Sequence, residues 1–491
     1  MGPAVSTRQT LEALFQAGCD VCRLNFSHGT PEGHLASLQM IREIASKMGE
    51  PIAVLGDLCG PKIRLGDVTD YDQTGGIPIS AGDELVLQRS PVVGTKRQVD
   101  DRHEILASST YTKIVDDVQV GQRVFIEDGL LRFLCIDKTY NDIRLNCIGG
   151  GILKRRKGIN LPDTTVNIPS ITDEDWRYVD WAIDNDLDYL ALSFVRSSSD
   201  LELLQRHLNN RASDIHMIAK IEKHEAIMDI ENILLNCHGL MVARGDLGVE
   251  MDVATVPIHQ KELIRRAKAA AKPVIVATQM LQSMVENSSP TRAEVSDVAN
   301  AIFDGTDAVM LSNETATGKW PTFAVGMMQH IAEVSEAWQS KNEQADPQPV
   351  ADSGNAMVLS SAVGSAVAQL AKRMDVHLVV VYSQTGATAR VFAKQRLSVP
   401  VIALSSDVRA LRKMSLMFGI KPLLMDPPRS MDELVDRVDQ LVREKKLAAE
   451  GQRVVIIGGA AFGTPGTRNA IVLHTVGQQF QQSFDSGTIA M

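Results

Sequence analysis

The chain has 491 residues, a formal net charge of −10 and a hydrophobic fraction of 44%. This length exceeds what one hydrophobic core fills, so we expect about three domains. The acidic balance argues against nucleic acid as the main partner, because phosphate backbones bind to basic surfaces. Since the sequence has neither a signal-like leader nor an apolar run of about 18 residues, we expect no membrane partner and a cytoplasmic location.

Short apolar runs, each followed by a helical pattern, recur through the first two-thirds of the chain. The runs are 21–26, 52–58, 187–195, 215–222, 239–246, 273–280 and 307–313. Strands that alternate with helices predict a parallel sheet, and a series of this length predicts a (β/α)₈ TIM-type barrel.

Polar residues stand at or just past the C-terminal ends of these runs. They are Arg23, Asn25, Ser27, Asp57, Ser193, Lys220, Glu222, Arg244, Asp246, Thr278, Ser312 and Glu314. In a barrel the C-terminal strand ends meet at one rim, where barrel enzymes carry out their chemistry. A turn after each strand would explain one or two of these residues, but not a polar residue after every strand.

The alternating pattern is interrupted twice. Residues 67–162 are rich in Gly, Asp and β-branched residues and predict an inserted β-rich domain. Residues 340–355 are polar and contain proline, which is typical of a linker. The apolar runs beyond them predict a C-terminal α/β domain. The expected domains are the catalytic barrel (1–66 and 163–339), the β-rich insertion (67–162) and the C-terminal α/β domain (340–491).

Two helix signals support this layout. Thr291 and Glu294 have the spacing of a capping box, and Gly305 is placed to end that helix. Pro257 suits the first turn of a helix that reaches Ala271.

Several long motifs lie on the predicted rim in a fixed order. They are RLNFSHG (23–29), GPKIRLG (60–66), AKIE (219–222), MVARGDLGVE (241–250), ATQM (277–280), SPTRAE (289–294) and DAVMLSNETATGKWP (307–321). In these motifs the chain resembles pyruvate kinases over nearly its whole length. The resemblance implies transfer of the phosphoryl group of phosphoenolpyruvate to ADP in glycolysis, giving pyruvate and ATP. It also implies that the insertion (67–162) is a β-barrel lid domain and that the C-terminal domain (340–491) binds an effector.

This reaction requires a cation and a compact positive charge at the rim. Glu222 and Asp246 offer hard oxygen ligands for Mg²⁺ or Mn²⁺, and their family counterparts hold the metal. Lys220 lies two residues before Glu222 on the same strand face. It resembles the family lysine that contacts the transferring phosphoryl group and the developing enolate. A plain ion pair between Lys220 and Glu222 is the structural alternative.

The resemblance extends to the residues around the substrate. Thr278 matches the threonine near the face of the enolate that receives the proton, and an ordered water relay suits it better than direct acid catalysis. An ordinary buried strand threonine is the alternative for it. Gly245 and Asp246, expected on a loop, allow backbone N–H groups to approach the substrate carboxylate. Ser193 belongs to the same rim.

A set of basic and polar residues corresponds to the phosphate- and nucleotide-binding side of the family. Guanidinium groups suit phosphate clamping, and Arg23 is also expected to take part in catalysis. The nucleotide-binding candidates are Arg23, Asn25, His28, Arg64 and Lys157.

The chain departs from the family where many members bind K⁺. Asn25, Ser27 and Asp57 are present, but Leu58 stands where threonine is usual and Lys62 where a glutamate is usual. We hypothesise that the Lys62 ammonium replaces the ion, so that the enzyme works without K⁺.

A second departure concerns the barrel itself. Family chains carry an apolar strand before the segment that here is Gly2-Pro3-Ala4, and the printed sequence shows seven barrel runs. Seven strands leave an eight-stranded barrel with an open edge. We expect either a start that lies upstream, which we favour, or a barrel that tolerates the opening.

The C-terminal domain carries the expected regulatory site. The segment 382–390 follows an apolar run and opens a helix, so Ser383, Thr385, Gly386 and Thr388 are candidates for a phosphorylated effector. Taken alone, such a loop is more often a plain turn. The resemblance implies the effector role, with 459–469 as a facing loop. It also implies a homotetramer, with Arg292 near a subunit boundary.

Two alternatives remain at this point. One is another Mg²⁺-dependent barrel enzyme acting on enolates, such as an aldolase or a lyase, which has no use for the lid, Thr278 or the effector domain. The other is a catalytically silent regulatory subunit, which the missing strand suggests. The combined presence of Lys220, Glu222, Asp246 and Thr278 argues against it.

Overall fold

The computed structural model describes residues 1–70, 74–99, 102–342, 355–459 and 469–478. The helices are α1 (Arg8–Gln16), α2 (Pro31–Met48), α3 (Ile114–Asp117), α4 (Asp173–Asp184), α5 (Ser198–Asn210), α6 (His224–Met228), α7 (Ile230–Asn236), α8 (Arg244–Glu250), α9 (Val256–Ala269), α10 (Arg292–Asp304), α11 (Asn313–Ala316), α12 (Pro321–Asn342), α13 (Asn355–Arg373), α14 (Ala387–Lys394), α15 (Val408–Met414) and α16 (Met431–Glu444). Short 3₁₀ helices lie at Pro3–Val5, Val253–Thr255 and Gln282–Val285.

The strands fall into three regions of the chain. They are β1 (Val21–Asn25), β2 (Ala53–Asp57), β3 (Ile77–Ile79), β4 (Glu84–Gln88), β5 (Thr95–Val99), β6 (Arg102–Ser108), β7 (Arg123–Ile126), β8 (Leu131–Lys138), β9 (Asp142–Gly149), β10 (Gly151–Leu153), β11 (Ile159–Asn160), β12 (Tyr189–Leu192), β13 (His216–Ile221), β14 (Gly239–Ala243), β15 (Val274–Ala277), β16 (Ala308–Met310), β17 (Val376–Tyr382), β18 (Val401–Ser405), β19 (Ile420–Leu424), β20 (Arg453–Gly459) and β21 (Asn469–Thr475).

The first region is a curled parallel sheet with the order β1-β2-β12-β13-β14-β15-β16. Each of the predicted barrel runs is one of these strands, so the predicted TIM-type architecture is confirmed. β2 and β14 are buried at every position, because helices cover one face and the barrel interior fills the other. Leu416 of the C-terminal region joins Leu55, Tyr189 and Met241 in the interior cluster.

The sheet is open between β1 and β16. These strands are its outer members and do not pair with each other in the described part of the chain. A cavity of about 500 Å³ lies along this opening, lined by both strands and by residues 415–422 of the C-terminal region. The expected open edge is therefore confirmed.

The insertion between β2 and β12 is built from short strands. Its larger sheet has the order β11-β7-β8-β9-β4-β6-β5, and β10 pairs with β3 in a second sheet. Most pairs are antiparallel, and β4 with β6 is a parallel exception. Alternate side chains, such as those of Phe133 and Leu145, form its own apolar core. The predicted β-rich insertion is confirmed as a fold feature.

The C-terminal sheet has the order β19-β18-β17-β20-β21, with only β21 antiparallel to its neighbour among the described strands. Along β17, Val379 and Val381 face one apolar cluster while Leu378 and Val380 face another. Both faces are therefore covered, as an α/β domain requires. Most of the predicted linker, residues 343–354, lies outside the described residues.

The helix signals read from the sequence are found in the structure. Thr291 and Glu294 form the reciprocal bonds of a capping box at α10, and Gly305 ends this helix with a φ of 100°. Pro257 lies in the first turn of α9, which ends at Ala269. Among the described helices, none has the length and apolar character needed to cross a bilayer.

A buried carboxylate ties the barrel to the C-terminal domain. Asp188 Oδ2 accepts from Val54 N at 2.7 Å and from Arg42 at 2.9 Å. Its other oxygen accepts from Arg412 Nε of α15 at 2.6 Å. Because these contacts lie at the N-terminal ends of β2 and β12, the junction is on the barrel end opposite the rim of polar residues.

Candidate active site

The centre of the polar rim is Lys220, near the end of β13. Its ammonium lies 3.0 Å from Glu222 Oε1 and 3.2 Å from Asp57 Oδ1, and it donates to Ser193 Oγ at 2.6 Å. Asp57 ends β2 and Ser193 follows β12, so the strand order of the sheet brings these residues together. The structure thus gathers side chains from three adjacent strand ends around one cation.

The two carboxylates keep this lysine charged. Burial alone lowers the pKa of Lys220, but the charges of Asp57 and Glu222 outweigh it and raise the pKa above its ordinary value. Asp57 behaves in the reciprocal way: burial opposes its ionisation, while Lys220 and Arg23 hold its pKa below the usual range. Lys220 is therefore an ammonium throughout the physiological pH range.

Glu222 is fixed by a second contact. Its Oε2 accepts from the backbone N–H of Phe194 at 2.7 Å, and Phe194 has a φ of 53°. Gly60 packs against this turn, since a Cβ there would lie 2.9 Å from Phe194 Cδ2. The turn after β12 thus aims one N–H at the carboxylate, which leaves Oε1 facing Lys220.

Asp246 shares the electrostatic environment of Glu222. Burial, and next the negative charge of Glu222, raise the pKa of Asp246 to about 6. The charges of Lys220 and Lys62 oppose this rise. Two carboxylates are close enough to repel, so a bound divalent cation would relieve the repulsion. No group of three or more His, Cys, Asp or Glu side chains suited to a metal occurs among the described residues.

Gly245 and Asp246 do not lie on a loop, as expected, but in the first turn of α8. The first N–H groups of a helix have no intrahelical acceptor. Gly245 N therefore donates to Thr278 Oγ1 at 2.8 Å. The backbone N–H groups expected to face the substrate therefore belong to the first turn of a helix and not to a loop.

Thr278 follows β15 with a φ of 71°, and Gln279 after it has a φ of 54°. A β-branched residue in the left-handed region is a backbone outlier that its surroundings must hold. The Thr278 hydroxyl donates to Ala277 O at 2.6 Å while it accepts from Gly245. This side chain is partly exposed, and the bond to Gly245 N links it to the first turn of α8, which carries Asp246.

Arg23, in the middle of β1, is bonded to the same buried carboxylate as Lys220. Its Nε donates to Asp57 Oδ2 at 2.6 Å. Asn25 Oδ1 accepts from Ser27 N at 3.2 Å in the turn that follows. Asp57 is one of the residues expected around a monovalent ion, and both of its carboxylate oxygens contact cationic side chains of the protein.

The remaining nucleotide candidates lie on the loop after β1 and at the base of the insertion. His28 is exposed after β1, and its carbonyl contacts His34 Nε2 at 2.9 Å. Arg64 pairs with Gly158 in a β-bridge and donates to Arg156 O at 3.2 Å. Lys157 lies beside this bridge and bonds Glu127 at 2.7 Å. Lys62 is exposed, and its Cε lies 3.1 Å from the position of a Cβ on Gly158.

The effector candidates lie together between β17 and α14. Ser383 is buried and its Oγ accepts from Thr388 N at 3.2 Å, while Gly386 caps α14 with a φ of 80°. Thr385 is exposed at the tip of the turn. Of the expected facing loop, residues 460–468 lie outside the described residues.

Two rim residues have contacts that the sequence pattern did not predict. Glu314 is fully buried and accepts from Leu281 N and Ser312 N at 3.1 and 2.7 Å, which gives it a structural role. Arg244, noted only as a polar residue on the rim, contacts the Thr278 turn. Arg244 stands directly before Gly245 and Asp246 in the sequence, and this position could have marked it as part of the site.

Comparison with known proteins finds relatives that match nearly the whole chain. Family models described as "Pyruvate kinase, barrel domain" and "Pyruvate kinase, alpha/beta domain" match residues 1–325 and 361–474. Pyruvate kinase of Geobacillus stearothermophilus is 40% identical over 97% of this chain and 79% of the relative. Pyruvate kinase 2 of Synechocystis sp. is 39% identical over 97% of this chain and 78% of the relative. A crystal structure of a pyruvate kinase from Cryptosporidium parvum superposes with a TM-score of 0.85 at 31% identity, covering 96% of this chain and 94% of that one. The chain belongs to the pyruvate kinase family.

Proposed function

We propose that Lys220, Glu222, Asp246, Thr278 and Arg23 carry out the reaction of this pyruvate kinase. The reaction transfers the phosphoryl group of phosphoenolpyruvate to ADP and yields pyruvate and ATP. The observation that carries the assignment is the buried Lys220 ammonium, bonded to Glu222 and Asp57 at the strand ends beside Asp246. The aldolase or lyase alternative is excluded by the family and by the presence of both accessory domains.

Glu222 and Asp246 would hold the divalent cation. Two carboxylates that repel each other are stabilised by a shared divalent cation. Mg²⁺ is commonly bound by one or two carboxylates together with substrate oxygens. When bound, the cation supplies Lewis-acid stabilisation of phosphate and enolate charge. Burial and the charge of Glu222 raise the pKa of Asp246 to about 6, so a proton would compete with the cation for this carboxylate in mildly acidic solution.

Lys220 would stabilise the charge that develops during transfer. A preorganised ammonium in a site that excludes water acts more strongly on a developing oxyanion than it would in bulk solvent. Its contacts with Asp57 and Ser193 hold the ammonium in place before substrate binds. Arg23, held by the same Asp57, supplies a guanidinium for the phosphate.

The enolate product must then receive a proton at carbon. Thr278 is placed to order the water that delivers it, since its hydroxyl is fixed by Ala277 O and Gly245 N. A threonine hydroxyl has too high a pKa to act as the acid alone. Gly245 and Ser193 complete the substrate-binding surface.

ADP would bind between the barrel rim and the insertion. Arg23 and Asn25 lie in β1 and His28 follows it, while Arg64 and Lys157 lie at the base of the insertion. A nucleotide held by both sets would bring the insertion over the site, in keeping with its proposed role as a lid.

The requirement for a monovalent cation is a point on which we expect this chain to differ from many relatives. Asp57 is already neutralised by Arg23 and Lys220, and the positive charge of Lys62 acts on Asp246. We therefore propose catalysis without K⁺, with Lys62 in place of the ion at the remnant of Asn25, Ser27 and Asp57.

Regulation would act through the C-terminal domain. The turn of Ser383, Thr385, Gly386 and Thr388 is the proposed site of a phosphorylated effector, supported by its position before α14 and by the family. A cytoplasmic homotetramer is the proposed assembly. It is supported by the family and by an exposed apolar stripe on and beside α12, formed by Trp320, Phe323, Val334 and Trp338.

A coupled assay with phosphoenolpyruvate, ADP and Mg²⁺ tests the assignment. We expect Lys220→Met to lose about 10³-fold in kcat, since one preorganised charge is removed. Lys47→Met, an exposed lysine on α2, is the matched control and should keep full activity. Activity of Lys220→Met within threefold of the parent would contradict the role of Lys220. Folded parent protein without any turnover would instead favour the silent regulatory subunit.

A further inference from the structure

A largely buried arginine side chain, that of Arg244, helps to hold the turn that carries Thr278. Arg244 Nη2 donates to Thr278 O at 2.9 Å and contacts Met280 Sδ at 2.8 Å. Its Nη1 donates to Asp297 Oδ1 on α10 at 2.7 Å and lies 3.4 Å from Gln260 Oε1 on α9. The Arg244 side chain is 12% exposed, so water competes little for these contacts.

The backbone held in this way is strained. Thr278 and Gln279 both have positive φ values, which cost free energy for residues with a Cβ and persist only where neighbours fix them. The bond to the Thr278 carbonyl fixes the peptide that joins these two residues. Loss of that bond would allow Thr278 to relax toward an ordinary strand conformation and would turn its hydroxyl away.

Arg244 is also the first residue of α8, directly before Gly245 and Asp246. The hydroxyl of Thr278 is bonded to Gly245 N, while the carbonyl of Thr278 is bonded to the Arg244 side chain. The helix start and the strained turn are therefore fixed to each other at two points. Asp297 and Gln260 anchor this unit to the outer helices.

We infer that Arg244 is a positioning residue for proton delivery: it holds Thr278 in its strained conformation, with the hydroxyl toward the site. This inference rests on the proposed role of Thr278. The planar guanidinium is required because its separate N–H groups bond Thr278 O and Asp297 at once. A lysine carries all its donors on one nitrogen, so it cannot reproduce the two separate positions that Nη1 and Nη2 occupy.

The test compares Arg244→Gln, Thr278→Val and the double variant. Each is assayed for kcat, for KM of phosphoenolpyruvate, for the solvent deuterium isotope effect on kcat, and for deuterium uptake into the methyl group of pyruvate in D₂O with Mg²⁺ and ATP. We expect Arg244→Gln to lower kcat by about 10- to 100-fold with less than a threefold change in KM. Methyl exchange should fall in parallel and the isotope effect should rise, as in Thr278→Val.

The double variant separates positioning from independent effects. If Arg244 acts through Thr278, both substitutions remove the same contribution to kcat. The double variant should then be no slower than Thr278→Val alone. Arg244→Lys should recover part of kcat, which keeps the test informative if Arg244→Gln folds poorly. Arg42→Gln is the matched control: Arg42 also donates to backbone carbonyls, of Ile52 and Asp186, but at the opposite barrel end. Its isotope effect should equal that of the parent.

Multiplicative losses in the double variant, or an unchanged isotope effect in Arg244→Gln, would overturn the inference. Either result leaves the proposed function intact as long as the parent enzyme turns over. A Thr278→Val variant with normal methyl exchange would instead contradict the role of Thr278 itself.

Discussion

The buried carboxylate of Asp57 is bonded by both cations of the proposed site, with Lys220 Nζ 3.2 Å from Oδ1 and Arg23 Nε 2.6 Å from Oδ2. The Asp57 side chain is 1% exposed, so its charge is balanced by these partners and not by water. The positions of Arg23, which we propose binds phosphate, and of Lys220, which we propose contacts the enolate, therefore depend on one acid.

Asp57→Asn removes this charge and keeps the shape. We expect kcat/KM for phosphoenolpyruvate to fall by about 10- to 100-fold, since Arg23 and Lys220 then repel each other and lose their fixed positions. Asp67→Asn, an exposed acid bonded to Arg156, is the control and should have little effect. Equal kinetics in the two variants would refute the role given to Asp57.

The response to Mg²⁺ should depend on pH through Asp246. Its pKa is raised to about 6, so the folded state binds its proton more tightly than the unfolded chain does. Without metal, this group makes the folded state less stable as pH rises from about 4 to 6, and the loss is complete above pH 6. Bound Mg²⁺ requires the carboxylate and should reverse the effect.

Thermal melts with and without Mg²⁺ at pH 5 and pH 7.5 test this behaviour. The stabilisation by Mg²⁺ should be larger at pH 7.5, and the Mg²⁺ concentration for half-maximal activity should rise as pH falls through about 6. Asp246→Asn should abolish the pH dependence of the Mg²⁺ shift. A shift of the same size at both pH values in the parent protein would count against metal binding by Asp246.

Independence from K⁺ should be lost when the charge of Lys62 is reversed. In tetramethylammonium buffer we expect the parent enzyme to gain less than about twofold from K⁺, whereas Lys62→Glu should be at least about 10-fold slower and recover with K⁺. Lys113→Glu reverses the charge of an exposed lysine directly before α3 in the insertion and provides the charge-matched control. Strong activation of the parent by K⁺ would reject the proposal.

The junction at Asp188 should govern stability but not chemistry. Asp188→Ala leaves Arg42 and Arg412 without their shared buried partner, and we expect a loss of about 3–5 kcal/mol in the free energy of unfolding. Because the junction lies at the opposite barrel end, kcat should change less than about twofold at low temperature. Asp184→Ala, at an exposed acid, is the control for urea unfolding. A comparable loss in both variants would show that burial at the junction contributes nothing.

Much of the fold could be predicted from the sequence, because parallel strands buried on both faces appear as continuous apolar runs. The capping box of Thr291 and Glu294 is equally local. Site residues could be predicted where they lie in an apolar run or directly after its C-terminal end. Lys220 and Glu222 share a strand face, and Asp246 and Thr278 follow the ends of neighbouring strands.

The tertiary structure alone decided which of these side chains are partners. No local pattern places Asp57 between Arg23 and Lys220, or brings Arg244 to the carbonyl of Thr278, because those contacts join strand ends far apart in the chain. The helical start at Gly245 and the positive φ of Thr278 also depend on neighbours across the rim. Local patterns record burial and backbone preference, whereas the pairing of charges is fixed only when the curled sheet sets its strands side by side.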